Sequence, residues 1–256
     1  MKTGYLQFAP VFSDIGANIE RISAMLNGCN GADLLVLPEL ASTGYRFDSR
    51  EQALSLSQAD DGEFVQFLVE QCANHGFHLV AGFNERDGDL LFNSSVLVGP
   101  GGVVGKYRKL HLFMDEKDIF EPGNLGLPVF EIGQCKVGML VCFDWVFPEA
   151  WRAMALKGAD IICHPSNLVL PFAQQAVPVH TMVNRIFAIL CNRTGVEKDL
   201  AFTGQSIIAN PSGEVLSRAP ADLEAISVVE IDIGAAKNKR ITPRNDVIAD
   251  RRTDIY

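Results

Sequence analysis

The sequence is short of basic charge. Its 256 residues hold 22 Lys and Arg against 31 Asp and Glu, a formal net charge of −9, and the basic residues gather only at Lys237 to Arg240 and at Arg251-Arg252. A chain this acidic without a basic stripe gives no reason to expect a nucleic-acid partner. It also lacks long apolar runs: none approaches the ~20 residues that span a bilayer, so no membrane association is expected. The opening Met1-Lys-Thr-Gly-Tyr-Leu-Gln-Phe8 has no extended apolar core of the signal-peptide kind, and the expected location is the cytoplasm. No low-complexity window, repeat or Pro/Gly-rich linker interrupts the chain, which reads as a single domain over 1–256. The six cysteines, at 29, 72, 135, 142, 163 and 191, form no C-x-x-C pair and have no histidine at zinc-site spacing. That disfavours a disulfide framework and a structural zinc.

What the chain has instead is a succession of short buried runs ending at polar residues. Strands are expected over 4–12, 33–39, 78–83, 90–98, 105–112, 137–141, 159–165, 188–192, 204–209 and 228–233. Helices are expected over 18–26, where Ile19, Ile22, Met25 and Leu26 share a face, and over 62–75, where Phe64, Phe67, Leu68 and Cys72 form a stripe stopped by Gly76. Further helices are expected over 148–157, which opens on Pro148, and around 178–187. The turns Asp87-Gly-Asp and Pro100-Gly-Gly suit antiparallel hairpins. They break the strict β-then-α alternation of a TIM barrel, so an α/β protein with a two-sheet α-β-β-α sandwich is the expected fold.

The run Val137-Gly-Met-Leu-Val141 feeds directly into Cys142 and then into the helix start at Pro148. In open α/β sheets ligands collect at the carboxyl ends of strands, and a thiol on a sharp strand-to-helix connection is presented as a nucleophile would be. The other five cysteines read as small buried hydrophobes. Glu39 closes the apolar strand Leu34-Leu-Val-Leu-Pro38. It is either a solvated strand end or a general base, since burying it unpartnered would cost several kcal/mol. In Gly105-Lys-Tyr-Arg-Lys109-Leu-His111-Leu112, period-2 alternation groups Tyr107, Lys109 and His111 on one face. By itself this is a charged edge strand, with His111 a packed imidazole. Glu116, in Phe113-Met-Asp-Glu-Lys-Asp118, reads alone as part of a solvated loop. Tyr45, Phe113, Trp145 and Phe147 are either ordinary packing or the wall of a narrow pocket, and Asn167 is placed to donate to a substrate.

Taken together, Leu37-Pro-Glu39, Tyr107-Arg-Lys109, Glu116 and Cys142-Phe-Asp-Trp145, with Thr43-Gly-Tyr45, Phe120-Glu-Pro-Gly123, Ala155-Leu-Lys-Gly158, His164-Pro-Ser-Asn167, Glu230-Ile-Asp232 and the closing 245–256, resemble the nitrilase superfamily of carbon-nitrogen hydrolases. The resemblance covers nearly the whole chain. It implies a four-layer α-β-β-α sandwich and a Glu-Lys-Cys triad of Glu39, Lys109 and Cys142, with Glu116 orienting the substrate amide. It further implies an oxyanion hole from Lys109 and the backbone N–H of Phe143. It implies no metal or organic cofactor, a small-molecule amide as substrate, and assembly into a homodimer or larger. The residues after the nucleophile, Cys142-Phe-Asp144, look more like the amidase and carbamoyl-amide branches than the Cys-Trp-Glu of nitrilases. Expected first is an amidase, then an N-carbamoyl amine or amino-acid hydrolase, with nitrilase, acyltransferase and non-catalytic binding protein behind.

Overall fold

The computed structural model describes residues 1–133 and 135–255; Tyr256, the last residue of the closing segment noted above, lies outside them. Among the described residues the chain builds two six-stranded sheets. The first has the order β14 (Ala225–Glu230), β1 (Lys2–Gln7), β2 (Leu34–Val36), β3 (His78–Asp87), β4 (Leu90–Gly99), β5 (Gly102–Arg108). The second has the order β13 (Val215–Arg218), β12 (Ile207–Ala209), β9 (Phe187–Asn192), β8 (Ile161–Ser166), β7 (Cys135–Met139), β6 (Val129–Ile132). Each sheet has a parallel centre, β1-β2-β3 in one and β7-β8-β9 in the other, flanked by antiparallel partners. A small ribbon of β10 (Val196–Glu197) and β11 (Leu200–Ala201) lies outside both.

Alternation along the central strands explains the layering. Tyr5, Leu34, Val36, Val80 and Leu97 of the first sheet share a core with Val137, Met139, Ile161 and Cys163 of the second. Their neighbours Leu6, Leu35, Leu37, Leu79 and Ala81 turn the other way, onto Ile22, Leu26, Phe64, Leu68 and Cys72 of α1 (Ile15–Leu26) and α3 (Glu63–His75). Strands buried on both faces need apolar residues at every position, which is why these runs show no polar alternation. The second sheet is covered by α5 (Pro148–Leu156) and α6 (Ala173–Asn184), which bring Trp151, Met154 and Val177 to its outer core. The result is the expected α-β-β-α sandwich. Among the described residues no helix is long and apolar enough to cross a membrane.

Helix ends follow the local signals. Asp14 caps α1 by accepting from Ala17 N at 2.9 Å, Gly76 ends α3 in the left-handed conformation at φ 78°, and Pro148 opens α5. Differences from expectation have local causes. β5 stops at Arg108 instead of running to 112, because the N–H groups of Leu110 and His111 donate to Tyr107 OH and Asp144 Oδ1 (both 3.2 Å) rather than to a strand. The period-2 grouping therefore fails there, and Tyr107, Arg108 and Lys109 are all buried. Helix α6 starts at Ala173, and Pro178 lies inside it. Burial of Ala173, Gln174 and Val177 holds the turns that a proline alone would discourage. β1 ends before Pro10, while β14 sits three residues earlier than expected and β12 begins only at Ile207. The short helices α2 (Arg50–Ser55) and α4 (Glu116–Ile119) and the strands β6 and β13 are too brief to show a period.

Candidate active site

Glu39 lies just past the carboxyl end of β2 and is fully buried. Its backbone runs against β3 so closely that a Cβ on Gly82 would come within 2.5 Å of the Glu39 Cα, which is why glycine stands there. One carboxylate oxygen, Oε1, accepts from Asn93 Nδ2 at 2.6 Å and from Lys109 Nζ at 2.8 Å. The other, Oε2, is buried without a hydrogen-bond partner. Lys109, immediately beyond β5, also donates to Glu116 Oε1 at 2.7 Å. Glu116 opens α4 and accepts from Tyr45 OH at 2.7 Å and from the Phe113 N–H at 3.3 Å. It is buried, so the solvated-loop reading of Glu116 is corrected: Lys109 and Tyr45 supply what its carboxylate would otherwise take from water.

Three buried charges and a thiol share this space. Burial opposes the ammonium of Lys109, but Glu116, Glu39 and Cys142 outweigh it and hold its pKa well above the lysine range. Burial pushes the Glu116 carboxyl up, Lys109 pulls it down, and the nearby Glu39 leaves it above its ordinary value. The Cys142 thiol is driven well up by burial and then by Glu39, with Lys109 and the backbone N–H of Asn167 acting in the other direction. Cys142 therefore rests as a thiol and needs a proton acceptor to become a nucleophile.

Cys142 sits at φ 44°, in the left-handed region that costs a non-glycine residue of order 1 kcal/mol or more, and begins a 3-10 turn, Cys142–Val146, ahead of α5. Two contacts hold this elbow. His164 Nε2 donates to the Cys142 carbonyl at 2.9 Å; burial takes the imidazole pKa down to about 4, so it stays neutral. Asp144, fully buried, accepts from Val141 N at 2.9 Å, Tyr107 OH at 2.7 Å, and His111 N and Nδ1 at 3.2 and 2.7 Å. One carboxylate thus ties the cysteine elbow to the segment bearing Lys109. His111 is the packed imidazole expected, stacked on Phe147 with ring centroids 3.5 Å apart. Asp144→Ala should cost about 3 kcal/mol in urea unfolding, because it strands Val141 N–H and Tyr107 O–H in the interior. A loss below ~0.5 kcal/mol would show that these donors find other partners.

Two adjoining cavities open onto these groups. One of about 40 Å³ is lined by Phe113, Cys142, Phe143, Trp145, Asn167 and Leu168 to Leu170. The other, of about 100 Å³, shares Phe113 and Val169 with it and reaches Tyr45 and Glu116. Of the residues expected at the pocket, Trp145 and Asn167 line the smaller cavity, Tyr45 the larger and Phe113 both, whereas Phe147 lines neither and instead stacks on His111. One of the two side-chain N–H groups of Asn167 donates to the carbonyl oxygen of Glu39 at 2.9 Å. The Thr43-Gly44-Tyr45 segment is shaped by Glu197, whose Oε1 accepts from Tyr45 N at 2.8 Å and whose other oxygen pairs with the buried Arg193. Gly44, at φ 79°, is pressed so near that a Cβ would meet Glu197 Oε2 at 2.7 Å. Asn93, Glu197 and the anchoring role of Asp144 escaped sequence reasoning. For Asn93 the signal was present, a polar Asn93-Ser-Ser95 step between the apolar Leu90-Leu-Phe92 and Val96-Leu-Val98 of one strand. Among the described residues no group of three or more His, Cys, Asp or Glu side chains is arranged to hold a metal ion.

The profile of the family described as carbon-nitrogen hydrolase matches residues 2–240. A protein of Pyrococcus abyssi named as a nitrilase is 45% identical over 100% of this chain and 99% of its own length. An (R)-stereoselective amidase of Pseudomonas sp is 34% identical over 98% of this chain and 92% of its own. The crystal structure of a carbon-nitrogen hydrolase from Helicobacter pylori G27 superposes with a TM-score of 0.91 at 29% identity, covering 100% of this chain and 97% of that one. With a family match over residues 2–240 and a 45% identical relative covered almost end to end, the chain belongs to the carbon-nitrogen hydrolases.

Proposed function

We propose that the protein hydrolyses a small or medium amide to a carboxylic acid and ammonia through a thioester on Cys142. The observation that carries this reading is the oxygen left over on Glu39. With Oε1 held by Asn93 and Lys109, the buried and unpartnered Oε2 is the natural acceptor for the proton of a thiol that cannot ionise unaided. As sulfur bonds to the amide carbon, the thiol proton passes to Glu39 and the carbonyl π pair moves onto oxygen. Two of the three N–H donors of Lys109 are taken by Glu39 and Glu116, which leaves one for that oxyanion. The Phe143 N–H, in the first turn of the 3-10 helix where no intrahelical acceptor exists, supplies the second donor. Glu39 then gives its proton to the nitrogen as the C–N bond breaks, and ammonia leaves. Water attacks the thioester while losing a proton to Glu39, the C–S bond breaks, and sulfur regains the proton. Glu116 positions Lys109 and faces the cleft beside Tyr45.

The relative named as a nitrilase favours a second reading, attack of the same thiol on a nitrile. A matched panel separates them: kcat/KM for an aliphatic amide, the N-carbamoyl amine and the nitrile of the same chain length, with ammonia and carbon dioxide both measured. The amide should be turned over fastest, without carbon dioxide. Faster nitrile turnover, or carbon dioxide released with the ammonia, would move the assignment to another branch. No turnover of any of the three would sink the hydrolase reading.

Self-association is also proposed. α6 and the segment before it leave Phe172, Val179, Met182 and Val183 exposed, an apolar face that a second copy of the chain would cover. Sedimentation at micromolar concentration should give a dimer or larger, and a clean monomer would count against it.

A further inference from the structure

Asn167 follows β8, and three of its polar groups have three different surroundings. Its backbone N–H favours the thiolate of Cys142, its Nδ2 donates to the carbonyl oxygen of Glu39 at 2.9 Å, and its Oδ1 is buried without a partner. The orientation of the amide is fixed by chemistry. The Glu39 carbonyl can only accept, so the atom facing it is nitrogen and the one left over is oxygen. The residue is 2% exposed and lines the small cavity that Cys142 also lines. A buried carbonyl oxygen with no donor in the protein, beside a nucleophile, is satisfied when the ligand brings the donor.

We propose that Asn167 Oδ1 accepts an N–H from the scissile nitrogen of the substrate, so that the site selects primary carboxamides over nitriles and esters. This rests on the amide-hydrolase reading and narrows it. A primary amide presents N–H groups to the oxygen. A nitrile presents a lone pair, and an ester presents an alkoxy oxygen, each setting acceptor against acceptor. A site built around a buried hydrogen bond discriminates strongly against an analogue that cannot make it. The placement also suits the proton transfers: with its side chain bonded to the backbone of Glu39, Asn167 would hold the leaving nitrogen on the side of the carboxyl that must protonate it. It acts as a specificity-determining residue, distinct from the groups that move protons.

The test is the ratio of kcat/KM for a primary amide to that for the methyl ester of the same acid, in the parent, Asn167→Ala and Asn167→Asp. A purely structural loss, through the bond to Glu39 or the elbow, lowers both substrates alike and leaves the ratio unmoved. The proposal expects the ratio to fall about tenfold or more in Asn167→Ala. Asn167→Asp has the same size and keeps an acceptor oxygen, so it should preserve the ratio within about threefold while both rates drop. An unchanged ratio in Asn167→Ala, or an equal loss of preference in Asn167→Asp, overturns the assignment of Asn167 and leaves the hydrolase reading standing. Failure of the parent to release ammonia from any amide overturns that reading, and this inference with it.

Discussion

Cys142→Ala should abolish ammonia release, with kcat falling roughly 10⁵-fold or more, equivalent to about 7 kcal/mol of lost transition-state stabilisation. The size of the effect follows from the proposed mechanism, in which removing the sulfur removes both the covalent intermediate and the thiol that Glu39 would deprotonate. Folding should survive, because alanine fits the site of the larger cysteine side chain. Cys191 is the control. It is also buried, donates to the Leu6 carbonyl at 3.3 Å and lines neither cavity. Cys191→Ala should lower stability by about 1 kcal/mol and leave kcat unchanged. Measurable turnover by Cys142→Ala above ~1% of the parent, with the protein free of contaminating hydrolase, would remove the cysteine from the mechanism.

The second large effect is expected at Lys109. Its ammonium is fully buried between two carboxylates, so Lys109→Met removes the positive charge that contacts them both. Activity should drop about 10³-fold or more through the lost oxyanion donor, and stability by roughly 3–5 kcal/mol through the uncompensated charge. The pH dependence has a definite sign. In the parent, the raised pKa of Lys109 contributes stability that is fully present below the unfolded value of 10.5 and is lost as pH climbs through the folded value. In Lys109→Met, Glu116 loses the cation that pulls its pKa down and rises further. A carboxyl with a raised folded pKa favours the native state below its unfolded value and disfavours it as pH passes through the folded one. The deficit against the parent should therefore be smaller at pH 5 than at pH 8 in paired denaturant titrations. A deficit that is flat or shrinks toward high pH would mean that water, rather than protonation, relieves the buried carboxylates.

How much of this was legible in the sequence depends on how local each cause is. The cysteine and Glu39 could be read because each ends an apolar run, and buried strand ends are where polar residues need reasons. Lys109 was placed on a strand that ends one residue earlier, since the side chains that terminate it, Tyr107 and Asp144, act across 3 and 33 residues of separation. Glu116 looked solvated because its counter-charge comes from another element, and charge alone does not say whether a loop is covered. The partners of Asn93 and Glu197 are equally distant: one holds Glu39 from 54 residues away and the other shapes the Tyr45 loop from 152. The layered fold was easier, because alternating burial on two faces writes itself into continuous apolar runs. The first turns of α6, where packing overrides a proline, were not written there at all.

The site also has an assembly history built into it. Glu39 and Lys109 leave the ends of strands in one sheet, while Cys142 and Asn167 leave the ends of strands in the other. No half of the molecule holds a working fraction of the chemistry, and local fraying of either sheet erases the whole constellation at once. Catalytic competence should therefore appear late and abruptly in refolding, after the two layers have docked, making turnover a readout of long-range cooperativity rather than of secondary structure.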